Sequence, residues 1–324
     1  MTVAELAVRM LFLATVALTA GAQQGPSDPP AHLPDLGAMP VLNPLVREQV
    51  QAAVRTRDYL KAEQILVGEI DHHPKSTELL TLAGELFFMD HKYLNAAIAL
   101  KKADVIAALA DQDRFTLAMS YVILDHRDWA RPELEKLAHN NPRNPLYPYW
   151  LARLDYDAQQ FPAAVEKLTK VIEMDPAFMK AYDNLGLCYE AVGKFDEAER
   201  TYQQAVLLNR KANPGSPWPP DNLGALLMRR EHFSDAEQYL RESLRIDPNF
   251  PQAHYHLGLL LEKQNKDAEA IRELERASEI DAAYAQPHYA LGRIYRRKQE
   301  TVKADAEFAL FQKLKQDKPL RSPR

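Results

Sequence analysis

Alanine recurs in this chain every 34 residues. It stands at Ala62, Ala96, Ala130, Ala164 and Ala198 and, after four extra residues, resumes the same step at Ala236, Ala270 and Ala304. Twelve residues before each alanine lies Val50, Gly84, Ala118, Ala152, Gly186, Gly224, Gly258 or Gly292, again mostly small. A period of this length held over eight units is the mark of a chain built from stacked repeats, in which neighbours supply one another's core. Such a chain grows by stacking, so its 324 residues need no second core.

Each unit reads as two helices. In the fifth, Tyr182, Leu185 and Tyr189 recur at helical spacing, a polar turn with Gly193 follows, and Ala198, Tyr202 and Ala205 form a second apolar stripe. Two antiparallel helices in close contact need small residues where their backbones approach, which accounts for Gly and Ala at fixed places. Pro74, Pro142, Pro176 and Pro248 lie twelve residues beyond their alanines, where a proline stops the second helix. The expectation is sixteen helices in eight antiparallel pairs.

These residues resemble the tetratricopeptide repeat, whose 34-residue pattern runs from a large residue through Leu-Gly, an aromatic, an Ala and a second aromatic or Leu to a late Ala and a Pro. Tyr182, Leu185, Gly186, Tyr189, Ala198, Tyr202 and Ala205 supply it in the fifth unit. Leu223, Gly224, Ala236, Leu240 and Pro248 do so in the sixth, and His288, Leu291, Gly292, Tyr295, Ala304 and Phe308 in the eighth. The resemblance covers 43–318 and implies an all-α fold, an α-solenoid of about eight helix-turn-helix repeats wound as a right-handed superhelix.

The flanks are different in kind. An apolar run over residues 10–20, too short to span a bilayer, is followed by Ala20-Gly21-Ala22. Residues 1–22 therefore read as a secretory signal peptide cut after Ala22, with a periplasmic or secreted mature protein of exported bacterial type and no membrane span. Residues 23–42 hold five prolines and two glycines and read as a disordered linker. Residues 319–324 form a basic tail. The four-residue insertion falls near 211–218, where KANPGSPWPP must make a protruding turn, with Trp218 either stapling it or offering an aromatic to a partner.

Nothing in the sequence announces an enzyme. It has no Gly-x-Ser-x-Gly, His-Glu-x-x-His or Cys-x-x-Cys and no phosphate-cradling glycine loop, so no catalytic residue, metal or cofactor is expected. A formal net charge of −5 argues against nucleic-acid binding. His254 and His288 occupy the large-residue position that Tyr182 fills, so packing explains them. Cys188, the single cysteine, reads as a small buried hydrophobe.

Function must then come from surfaces. The resemblance implies that first helices line a concave groove, and the fifth, ninth and twelfth residues of a unit share one helical side. The candidate partner-binding residues are Phe115, Tyr149, Arg153, Tyr156, Tyr255, Tyr289, Arg293, Arg296 and Arg297. The aromatics serve either to grip a partner or to pack neighbouring repeats. No unit carries the Lys and Asn pair with which some family members clamp a C-terminal carboxylate. The expected function is a non-enzymatic exported scaffold binding a protein or peptide, specifically an acidic extended segment held by the arginines. The alternative is the recognition subunit of an envelope enzyme system for glycan or peptidoglycan processing, with catalysis on another chain.

Overall fold

Each 34-residue period folds as two antiparallel helices joined by a tight turn. The structure, a computed structural model, describes residues 42–317, and among them there are sixteen helices and no strand. They fall into two compact units that divide at Pro142/Arg143.

The first unit holds three pairs: α1 (Pro44–Arg55) with α2 (Tyr59–His72), α3 (Thr77–Met89) with α4 (Tyr93–Ile106), and α5 (Asp111–Ile123) with α6 (Arg127–Asn140). Leu42, the last residue assigned to the linker, is buried beside Val50, Leu66 and Leu79. The second unit holds five: α7 (Leu146–Asp157) with α8 (Phe161–Met174), α9 (Met179–Ala191) with α10 (Phe195–Asn209), α11 (Trp218–Arg229) with α12 (Phe233–Ile246), α13 (Pro251–Lys263) with α14 (Asp267–Ile280), and α15 (Ala285–Arg297) with α16 (Thr301–Asp317). The segment expected to be a signal peptide, the rest of the expected linker and the basic tail lie outside the described residues.

The alanine register is the register of packing. All eight periodic alanines are 0% exposed. Opposite each sits the small residue of the first helix, over which a large side chain of the second helix lies. At Gly186 a Cβ would lie within 2.8 Å of ring carbons of Tyr202, itself fully buried, and at Gly224 it would meet Leu240 Cγ at 2.8 Å. The helices approach until no room for a methyl remains, and this is what confines the position to glycine in five of the eight units.

The turns carry a second periodicity that composition hides. Arg57, His91, Asp125, Gln159, Gly193, Glu231, Asn265 and Gln299 have φ between 58° and 77°, at the same spacing as the alanines. The N–H of the following residue reaches back over the helix end, as from Lys92 to Phe87 O at 2.8 Å and from Lys194 to Tyr189 O at 2.8 Å. This is the left-handed helix stop that satisfies otherwise orphaned carbonyls. Only one of the eight is glycine. Gly193→Val should therefore lower stability by about 1–2 kcal/mol from backbone conformation alone, since nothing crowds the site. Gly68→Ala, in the open middle of α2, should raise it by about 0.5–1 kcal/mol. Urea denaturation of the two variants checks both signs.

The insertion lies within the second unit and does not interrupt it. Asn209, 2% exposed, closes the loop with both ends of its side chain: Nδ2 donates to Ser216 O and Oδ1 accepts from Ser216 N, each at 2.7 Å. Trp218 meets Phe250 edge-on at 4.8 Å and so staples the turn. Pro219 and Pro220 fall in the first turn of α11, where their missing N–H groups leave no bond unmade.

Candidate functional site

The fifth positions of the second unit's repeats, on their first helices, are Tyr149, Asp183, Asp221, Tyr255 and Tyr289. The candidate aromatics do not share one environment. Tyr149 is 2% exposed because Phe178, at the entry to α9, lies 5.1 Å from it, and Tyr255 is half-buried because Tyr284, at the entry to α15, lies 5.3 Å away. An aromatic entering the next pair thus covers the fifth residue of the previous one. Tyr289 belongs to the last pair among the described residues and is 46% exposed, tilted against Phe308 and Phe311. Tyr156 is half-buried and edge-on to Phe161 at 5.5 Å, and burial pushes its hydroxyl up to about 12. In the first unit Phe115 is 5% exposed. Phe115 and Tyr149 therefore pack the repeats rather than present a ring to a partner.

The arginines expected to meet a ligand are mostly paired already. Arg293 reaches Glu262 at 2.6 Å, Arg297 reaches Glu262 at 3.4 Å and Asp267 at 2.6 Å, and Arg296 reaches Asp305 at 3.1 Å while lying over Phe308. Glu262 and Asp267, the twelfth and seventeenth residues of one repeat, stand opposite Arg293 and Arg297, the ninth and thirteenth of the next, so acids and bases in adjacent repeats neutralise each other. Arg153 is the exception. It donates to Tyr149 Oη at 3.5 Å and lies over the Trp150 ring, and no carboxylate pairs with it among the described residues. One repeat on, burial and the Arg153 guanidinium hold the Lys180 ammonium below its ordinary value.

A polar ladder runs beneath this face. Asn184 Nδ2 donates to Tyr149 Oη at 3.2 Å, Asn222 Nδ2 donates to Asp183 Oδ1 at 3.0 Å, and His256 Nδ1 lies 2.8 Å from Asp221 Oδ1. Each rung joins the fifth residue of one unit to the sixth of the next, linking α7, α9, α11 and α13 in turn. It stops at Tyr255 because Ala290 fills the next sixth position. The repeated Asp-Asn of "DNLG" is thereby explained: Asn closes the rung behind it and Asp accepts the rung ahead.

Two members of the ladder are buried acids, of which Asp221 has His256 as its only basic neighbour at ion-pair distance among the described residues. Asp183 is 8% exposed and Asp221 is 1% exposed, and neither is within ion-pair distance of a Lys or Arg. Asp221 Oδ2 is buried with no hydrogen-bond partner. Burial, with the Asp221 charge nearby, pushes the Asp183 carboxyl up to about 6. A raised carboxyl pKa means that the folded state holds its proton longer than the unfolded chain. The Asp183 contribution is therefore most favourable below the ordinary carboxylate pKa and is lost as pH rises towards 6. Asp183→Asn should gain on the wild type by up to about 3 kcal/mol between pH 4 and pH 7, measured as the difference of their urea midpoints across that range.

The first unit has its own buried charges. Arg114 donates to Glu133 and, at 3.0 Å, to Asp104, and all three are largely buried. Glu85 is 1% exposed with neither carboxylate oxygen hydrogen-bonded, and burial pushes it up to about 7.

His254 and His288 lie against Glu273 and Glu307 at 2.6 and 2.7 Å, an identical pairing one repeat apart that serves packing between the helices of a pair. Among the described residues no group of three His, Cys, Asp or Glu is placed to hold a metal, and no helix is long and apolar enough to cross a membrane. Cys188 is fully buried, which pushes its thiol up to about 12.

A solved tetratricopeptide repeat protein from Parabacteroides merdae superposes on this architecture with a TM-score of 0.62, covering 73% of this chain and 92% of its own at 18% identity. The fold is the tetratricopeptide-repeat fold. The family described as the middle TPR-like domain of cilia and flagella-associated protein 70 matches residues 182–316 of these tetratricopeptide repeats. Among curated proteins, the general transcriptional corepressor ssn6 of Schizosaccharomyces pombe is 28% identical over 128 residues, 40% of this chain and 11% of that protein. Hsp70-Hsp90 organizing protein 1 of Glycine max is 25% identical over 126 residues, 39% of this chain and 21% of that protein. The matching repeats thus span a small part of the length of these curated relatives.

Proposed function

We propose that the chain is a non-enzymatic scaffold, exported to the periplasm or the cell exterior, whose second unit binds an extended segment of a partner protein along its first helices. The observation that carries this is Arg153: a guanidinium on that face, over the Trp150 ring and backed by the Tyr149 hydroxyl, with Asp157 and Asp183 near enough to attract it but no carboxylate at ion-pair distance among the described residues. A fixed guanidinium of this kind suits a carboxylate, so an acidic residue of the segment is met here rather than at Arg293, Arg296 and Arg297, which are occupied. The ladder beneath keeps the first helices in fixed register, so the face is ordered before the ligand arrives and little entropy is lost on binding. Likeness to an organizing protein and a corepressor supports a role in holding other proteins.

Capture from the exporting cell on immobilised chain, read by mass spectrometry, tests the proposal. Arg153→Gln, which removes the charge without adding a carboxylate beside Asp183, should abolish capture of the partner that wild type retains while the chain stays folded by circular dichroism. Equal capture by the variant would remove this face from the function, and a glycan hydrolase or transferase as the captured protein would favour an envelope enzyme system.

A further inference from the structure

We propose that His254 is a proton-operated clasp in the second unit: as an imidazolium it ties the turn before α13 to α14, and on losing its proton it lets one of the two go and loosens the start of α13. The clasp does not depend on peptide binding at this face, but it acts on the helix that carries Tyr255 and the His256 rung.

Hydrogen-bond geometry sets the charge. The His254 side chain is 12% exposed, and both ring nitrogens face acceptors: Nδ1 donates to Glu273 Oε2 at 2.6 Å and Nε2 donates to Pro248 O at 3.0 Å. A neutral imidazole has one N–H and can satisfy only one of them, whereas the imidazolium satisfies both. His288, one repeat on, shows the contrast. Its Nδ1 donates to Glu307 at 2.7 Å, but its other nitrogen meets no acceptor among the described residues, so one N–H suffices there.

Burial by itself favours the uncharged His254 ring. The Glu273 carboxylate and the Pro248 carbonyl overcome it and hold the imidazolium above its ordinary value of about 6.5. Arg276, also on α14, opposes the charge, but its guanidinium is engaged by Asn249 Oδ1 at 2.8 Å and by Glu279 at 3.2 Å. No charged side chain of α11, α12 or α15 bonds to the ring among the described residues.

The clasp fastens a place that has few other ties. Phe250, at the entry to α13, gives the helix no side-chain cap, and the backbone bond from His254 N to Phe250 O is long at 3.4 Å. The Nε2 bond to Pro248 O therefore secures the incoming turn against the helix. Phe250 is also the ring that Trp218 meets in stapling the insertion. A folded-state value above that of the unfolded chain means that the clasp contributes fully below the ordinary histidine value and is lost as pH rises through the folded one. Acid closes it and alkali opens it.

Long-range proton–nitrogen NMR of the full chain, isotopically labelled at the histidine ring nitrogens, reads the ring directly, with N-acetyl-histidine amide in the same buffer as reference. The His254 signal is the one that disappears in His254→Gln, and Glu273→Gln identifies it by its shift should the first variant fail to fold. At the pH where the reference is half ionised, most His254 rings should carry protons on both nitrogens. The midpoint should lie above that of the reference, and Glu273→Gln should bring it down. Hydrogen exchange at the His254 and Tyr255 amides, corrected for intrinsic base catalysis, should quicken above the His254 midpoint in the wild type, reporting local opening. His254→Gln should show no such step. Partner capture enters none of these readings, so they decide the clasp whatever Arg153→Gln does. A midpoint at or below the reference, a midpoint unmoved in Glu273→Gln, or exchange without a step in the wild type overturns the clasp.

Discussion

Arg114→Met should destabilise the first unit by about 3 kcal/mol. The guanidinium lies between Asp104 and Glu133 with 8% of its side chain exposed, and its loss leaves two acids facing each other in a dry site. Lys101, at 3.1 and 3.5 Å from the two acids, and Lys136, at 3.3 Å from Glu133, answer part of the charge, which sets the effect towards the lower end of the range for broken buried pairs. Arg114→Met combined with Asp104→Asn and Glu133→Leu should recover most of the loss, because the three buried charges and the cost of desolvating them are gone together. Urea denaturation followed by circular dichroism reads both. A triple variant as weak as the single one would show that packing around Arg114, and not its charge, matters.

Gly186→Ala should cost about 1–3 kcal/mol even though alanine is the better helix former. The added methyl enters the space of the Tyr202 ring, which is 0% exposed and cannot swing away without opening the interface between α9 and α10. Tyr202→Phe in the same background should restore little, since the clash involves ring carbons. In the wild type it should be neutral or stabilising, because the buried Tyr202 hydroxyl has no hydrogen-bond partner. A Gly186→Ala protein that melts with the wild type would contradict the helix spacing.

Much of this fold was legible because close packing leaves its mark on residue size. Ala198 and Gly186 are small where a backbone approaches, and 34-residue spacing turned that into an expectation of sixteen helices. The left-handed turn residues were not legible. The same φ is held by Arg57, Glu231 and Gln299, so side-chain type gave no signal and only Gly193 looked like a turn. The site was half legible. Charge and aromaticity pointed to Tyr149, Tyr289 and Arg297, but whether a ring is covered or a guanidinium paired depends on residues about one repeat away. Phe178 and Glu262 decide those cases, and a single-unit reading cannot see them. Asp183, Asn184, Asp221 and Asn222 were missed as a group, although the doubled "DNLG" displayed them. The motif was read for its Leu-Gly packing, while its first two letters build the ladder between repeats.

The central claim is that partner binding takes place on the first-helix face of the second unit. Photo-crosslinking locates it directly, with benzoylphenylalanine placed singly at Tyr255 or Tyr289 on first helices, and at Phe195 or Leu207, exposed on α10. After irradiation in cells that express the chain, the account predicts partner adducts from Tyr255 and Tyr289 and none from Phe195 or Leu207. Adducts confined to Phe195 and Leu207 would contradict it.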